Sequence, residues 1–148
     1  MNIRFLLIVL VLSFIFNSSD ANMVDTNSVD KKKVILVSSS LALYFGGSFY
    51  YVQNAWWDDI SNDFNFDSGN DLVYALNVDK AGHFFGGVYA SDLFSSSFRW
   101  AGMKKSKSVL YGAAFGTGVQ LAIELKDAYA PYWGFSKWDL ALGSTGAL

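Results

Sequence analysis

The chain has 148 residues, which is room for one domain of ordinary size and not for two. Apolar residues make up 52% of it and charged residues only 16%, against about 25% charged in an average soluble domain, so burial in protein or lipid is heavy. The net charge of −2, with no arginine-rich stripe, excludes nucleic acid as a partner, and the absence of cysteine excludes a disulfide framework, a thiolate zinc site and a lipid-modified cysteine.

The opening "MNIRFLLIVLVLSFIFNSSDA" has a short basic region at Arg4, an apolar run from Phe5 to Phe16 and a small-x-small pattern at Ser19, Asp20 and Ala21. This predicts a secretory signal peptide over residues 1–21 and a protein exported to the periplasm or the envelope membrane. As a helix the apolar run reaches about 18 Å, short of a hydrocarbon core of about 30 Å. Residues 22–33 are polar, lack hydrophobic periodicity and end in Lys31, Lys32 and Lys33, which predicts a linker; residues 34–148 then form a single helical domain.

A first helix is predicted over 34–53, long enough to span a bilayer, though its serines and glycines moderate its hydropathy. The stretch "NAWWDDISNDFNFDSGND" has no sustained period and reads as a loop ordered by its aromatics. A second helix is expected over 79–100, then a basic turn with Gly102, then a third helix over 109–127 closed by Pro131 and "YAPYWG". The fourth begins at Ser136, a good N-cap, with Asp139 at the third helical position as in a capping box. Its apolar run stops at Leu148 without a closing signal, so the native helix is expected to continue. Gly46 with Gly47, Gly86 with Gly87, and Gly112 with Gly116 predict close helix approach. The fold class is all-α, an up-and-down bundle of about four helices with the last one truncated.

Short connections bring the start of the second helix, the end of the third and the start of the fourth to one end of such a bundle. Three motifs meet there: "DKAGH" with Asp79, Lys80 and His83, "ELKD" with Glu124 and Asp127, and "SKWD" with Ser136 and Asp139. Asp79 and His83 are spaced i, i+4 and Glu124 and Asp127 i, i+3, so each pair faces one way, and Gln120 lies a turn before Glu124. Capping and helix-dipole effects account for Asp79 and Asp139. Glu124 and Asp127 oppose the dipole at a helix C-terminus, so something positive should compensate them: Lys80, Lys126, protonated His83 or a metal. The other end carries Lys31 to Lys33, Arg99, Lys104, Lys105 and Lys107, while Trp56, Trp57, Tyr129, Tyr132, Trp133 and Trp138 crowd the acidic end like an interfacial belt. A topology with lysines in the cytoplasm conflicts with a cleaved leader, and Asp92 is costly in lipid unless it faces other helices.

The order W-W … D-K-x-G-H-F … E-x-x-D … W-G-x-S-x-x-D resembles the YfiM-like family of predicted periplasmic lipoproteins, a domain family without an assigned function. Trp56, Trp57, Asp79, Lys80, Gly82, His83, Glu124, Asp127, Trp133, Gly134, Ser136 and Asp139 carry the resemblance. More distantly the chain is similar to VanZ-like membrane proteins, which pair a D-K-x-x-H helix start with a later S-x-x-D helix start. The family often has asparagine where this chain has Gly143, and a lipobox cysteine is absent here. The resemblance implies an exported helical envelope protein and no reaction.

The first functional reading is therefore non-enzymatic: a membrane-associated envelope protein with a structural polar cluster at one bundle end. The rival is a metal-assisted hydrolase or transferase acting on an envelope lipid or glycan, with His83, Glu124, Asp127 and Asp139 as candidate catalytic residues and Asp79, Lys80, Gln120 and Ser136 in support. A third reading is a membrane-embedded accessory subunit that binds a partner through its aromatic end. One histidine among carboxylates can ligate a divalent cation, but the pattern is weak beside a multi-histidine zinc motif, so no metal or cofactor is assigned. "GFS" lacks the nucleophile-elbow pattern, which makes Ser136 a poor nucleophile. The bilayer or its surface is the expected partner, nucleic acid is not, and no protein partner is named.

Overall fold

The computed structural model describes residues 28–57, 63–67 and 71–148. The predicted signal peptide, and the predicted linker up to residue 27, lie outside the described residues. Four helices follow one another: α1 (Lys31–Trp56), α2 (Val78–Trp100), α3 (Lys105–Asp127) and α4 (Lys137–Ala147), with a 3-10 turn at Tyr74–Asn77 leading into α2. Among the described residues the one β feature is an isolated bridge between Phe66 and Phe135. The protein is an all-α bundle.

Two helices begin earlier than the sequence predicts. Asp30 caps α1, its side chain accepting from the backbone N–H of Lys32 at 2.9 Å and of Lys33 at 3.3 Å. The lysine trio thus forms the first turn of a helix instead of closing a linker. In α3, "KSKS" is helical because lysine favours helix while Ser108, fully buried, bonds back to the carbonyl of Lys104 at 3.1 Å.

The helices pack in two ways. On one side Val37 and Leu41 of α1 meet Phe94 and Phe98 of α2. Phe94 stacks on Phe45 and on Phe115, each at 5.0 Å between ring centroids. On the other side α2, α3 and α4 approach through small residues. A Cβ at Gly112 would lie 2.6 Å from the Ser91 carbonyl oxygen, and one at Gly87 would overlap the Gly143 backbone. Gly46 and Gly47 do not serve this purpose, because a Cβ at either would meet nothing within 4 Å. The reason is that α1 buries only the Val37 and Leu41 stripe and leaves its glycines on an open face.

Hydrogen bonds fix which ends meet. The Asp30 N–H donates to the Ala101 carbonyl at 3.0 Å, setting the start of α1 beside the end of α2, and Lys33 Nζ lies 4.8 Å over the Trp100 ring. The basic end is thereby assembled. At the other end, residues 63–67 run along the connection between α3 and α4: Asn65 N–H donates to Ala128 O at 2.8 Å and Phe135 N–H to Asn65 O at 2.9 Å. Phe64 packs against Phe66 at 5.2 Å and Tyr129 at 5.6 Å, so aromatic contacts hold residues 63–67 of the predicted loop, while its first residues, 54–56, belong to α1. Asp92 is exposed.

Candidate functional site: an acidic pocket with aromatic walls

The bundle brings the three predicted motifs together. Lys80 on the first turn of α2 is 6% exposed, and its Nζ lies 2.9 Å from Asp139 Oδ2 on α4 and 3.6 Å from Asp79 Oδ2. It also donates to Asp71, in the turn before α2. Burial alone would lower the Lys80 ammonium, but its hydrogen bonds to Asp71 and Asp139, with their charges, outweigh that and hold it above the usual lysine range. Ser136 is the N-cap of α4, accepting from the Asp139 N–H at 3.0 Å while its hydroxyl reaches Asp71 Oδ2 at 2.8 Å.

The capping box is only half formed. Asp139 does not reach back to the Ser136 N–H, because Lys80 holds it; Glu124 Oε2 takes that N–H instead, at 2.8 Å. Nor does Asp79 cap α2. The N-cap is Asn77, in a left-handed conformation with φ of 62°, and it makes no side-chain cap bond. The favourable end of the helix dipole still accounts for an acid at Asp79, in the first turn.

Glu124 is 1% exposed, which burial makes costly for a carboxylate. Burial comes first, and then the charges of Asp127, Asp139 and Asp79, in pushing its carboxyl up to about 8 against the opposing pull of the Ser136 N–H. Asp127 is also raised by burial, although Trp57 Nε1–H donates to its Oδ1 at 2.6 Å. Asp79 is raised by burial and by Asp139, more than His83 and Lys80 lower it. The partners at the end of α3 are a ring nitrogen and a neutral donor: His83 Nδ1 lies 3.6 Å from Glu124 Oε1, and Asp127 accepts from the Trp57 indole. Lys126 points elsewhere, 3.5 Å from Gln53 Oε1 and over the Trp57 ring.

His83 answers to Gln120, its Nδ1 lying 3.0 Å from Gln120 Oε1. Gln120 is 2% exposed and seated against Gly143, where a Cβ would fall 2.6 Å from that same oxygen. Asp71 was not legible as a site residue, being one of five aspartates in an aperiodic loop; its place just before α2 is the only hint.

Around these groups lies a pocket of about 360 Å³. Asp67, Asp71, Asp79, Glu124, Asp127 and Asp139 face it, with Lys80 and His83, and Trp56, Trp57, Tyr132 and Trp133 wall it. Residues 67–148, which include all of these except Trp56 and Trp57, match the model of the family described as "Predicted periplasmic lipoprotein (DUF2279)". The chain belongs to this family. Membership in DUF2279 places the protein in the exported envelope class that its leader predicts, without naming an activity. Neither a curated protein nor a solved structure matches the chain. The lipoprotein part of the DUF2279 description has no cysteine to rest on in these 148 residues.

Proposed function

We propose that this DUF2279 member is a membrane-associated envelope protein whose acidic pocket binds a cationic ligand. One observation carries the reading: Asp71, Asp79, Glu124, Asp127 and Asp139 converge on the pocket, and Lys80 and His83 are the basic side chains among the described residues that line it. A network serving stability alone would tend toward neutrality, since removing a buried charge's partner costs about 3–5 kcal/mol. A diffusible cation is the partner that restores the balance, and aromatic walls favour its partial desolvation.

Association with the membrane falls to α1. It is long and apolar enough to cross a bilayer, and Ile35, Leu36, Leu43 and Tyr50 on it are exposed. Asp92, exposed on α2, argues for water on that face. The test is thermal unfolding of the full chain in detergent micelles with Zn²⁺, Mn²⁺, Mg²⁺, Ca²⁺ or spermidine added singly. At least one should raise the midpoint in wild type and not in Asp79→Asn. If none does, the pocket is not a cation site.

A second reading, the metal-assisted hydrolase or transferase, is favoured by Glu124, whose carboxyl at about 8 lies in the range useful to a general acid or base. Hydrolysis of envelope phospholipids or glycans by the wild type, lost in Glu124→Gln, would support it; equal activity in both would remove Glu124 from any such role.

A further inference from the structure

We propose that Asp79, His83 and Asp139 form a binding site for a divalent transition-metal ion, with Lys80 and Gln120 as positioning residues. This rests on the pocket's being a cation site and names the cation and its ligands. Each of the three residues offers one donor atom, and those atoms all lie within 4.8 Å of one another. An equilateral triangle of that side has its centre about 2.8 Å from each corner, so closing to metal-ligand distances of about 2.0–2.2 Å takes movements of under about 1 Å.

The donors are already turned toward one another. Lys80 occupies the Oδ2 atoms of Asp79 and Asp139, which leaves Oδ1 of each for another partner. Asp79 Oδ1 lies 3.8 Å from His83 Nε2. Asp139 is 5% exposed, and its Oδ1 is buried with no hydrogen-bond partner among the described residues. Glu124 Oε1, on a side chain 1% exposed, is in the same position. A buried carboxylate oxygen without a donor is expensive, and Glu124 Oε1 lies 3.6 Å from His83 Nδ1.

His83 is prepared in the manner of a metal ligand. The Gln120 carbonyl oxygen can only accept, so an Nδ1–H of His83 is the group that pairs with it, and in the neutral ring Nε2 is the nitrogen left for a metal. Gly143 secures that arrangement by giving Gln120 room. Imidazole nitrogen with carboxylate oxygen suits first-row divalent ions better than Mg²⁺ or Ca²⁺, which prefer oxygen throughout. Charge decides between a divalent ion and an organic ammonium. Three carboxylates, Asp71, Asp79 and Asp139, gather around the single ammonium of Lys80, an excess that a divalent ion answers better than a monovalent one.

The chain has a single histidine, which makes the test direct. Mn²⁺ is titrated into the full chain in detergent micelles and followed by electron paramagnetic resonance, with Zn²⁺ as competitor. Bound Mn²⁺ in wild type should show coupling to one imidazole nitrogen, altered when the histidine is ¹⁵N-labelled. Binding should weaken ten-fold or more in His83→Gln and in Asp139→Asn. The nitrogen coupling is read in wild type, so it stands even if a variant fails to fold. Mn²⁺ bound without nitrogen coupling, and as tightly in His83→Gln, would overturn this site and leave the pocket as a cation site of other ligands. Binding of spermidine but of no divalent ion would overturn it in the same way. Failure of every cation to bind would overturn both readings.

Discussion

Glu124 Oε2 accepts the backbone N–H of Ser136 at 2.8 Å, so a carboxylate on the last turn of α3 satisfies an amide at the start of α4. An acid that opposes its own helix dipole is thereby used to cap the next helix. The arrangement ties the charge state of one side chain to the docking of two helices.

The stability of the bundle should therefore depend on pH in a definite direction. The Glu124 carboxyl is raised from an ordinary 4.5 to about 8, so between those values the folded chain binds the proton more tightly than the unfolded chain. Its contribution is fully present below about pH 4.5, declines as pH rises and is gone above about pH 8. Asp127, Asp79, Asp139 and His83 face it and shape the curve. With chelator present, chemical unfolding at pH 6 and pH 9 should show a loss on the order of a few kcal/mol at the higher pH. In Glu124→Gln, which keeps an acceptor for the Ser136 N–H, most of that difference should vanish.

Ser136 joins the cap of α4 to Asp71. Ser136→Ala should cost about 1 kcal/mol for the lost cap and about 1.5–3 kcal/mol for the bond to a charged carboxylate. Ser136→Thr keeps the hydroxyl and should recover most of this. Denaturant midpoints of the three proteins decide the matter, and equal losses in both variants would count against the hydroxyl's role.

Two glycines should respond in opposite directions. A Cβ at Gly143 would fall 2.6 Å from Gln120 Oε1, so Gly143→Ala must displace Gln120 and should destabilise by about 1–3 kcal/mol. A Cβ at Gly118 meets nothing within 4 Å, and Gly118→Ala in the middle of α3 should stabilise by up to about 1 kcal/mol. Paired melting curves would show the contrast.

Trp57 is 2% exposed, and its indole N–H donates to Asp127 Oδ1 at 2.6 Å. Trp57→Phe should cost about 1.5–3 kcal/mol by leaving that carboxylate without its donor. A cycle with Asp127→Asn should show the two losses to be less than additive.

Much of the site was legible because helix periodicity and short turns left it few places to go. The Ser136 cap, the shared face of Asp79 and His83 and the meeting of three helix ends follow from spacing alone. Side-chain partners were less legible. Lys126 is two positions from Glu124, about 200° around the helix, so it could not answer that charge and turns to Gln53. Asp71 and Trp57 lie outside any periodic segment that shares a face with the site, and only the folded chain selects them. Glycine pairs were a mixed guide: Gly112 and Gly116 mark a helix crossing, while Gly46 and Gly47 lie on a helix with one buried stripe.

Lys80 and Asp139 are 59 residues apart in sequence, and Ser136 and Asp71 are 65 apart. Contacts of that span close large loops and carry their entropic cost, so the pocket takes form only when α2, α3 and α4 have all docked. A nascent or partly unfolded chain in the envelope has no pocket to offer. Any ligand held there binds the finished fold alone and shifts the folding equilibrium by mass action, which makes occupancy a measure of maturation after export.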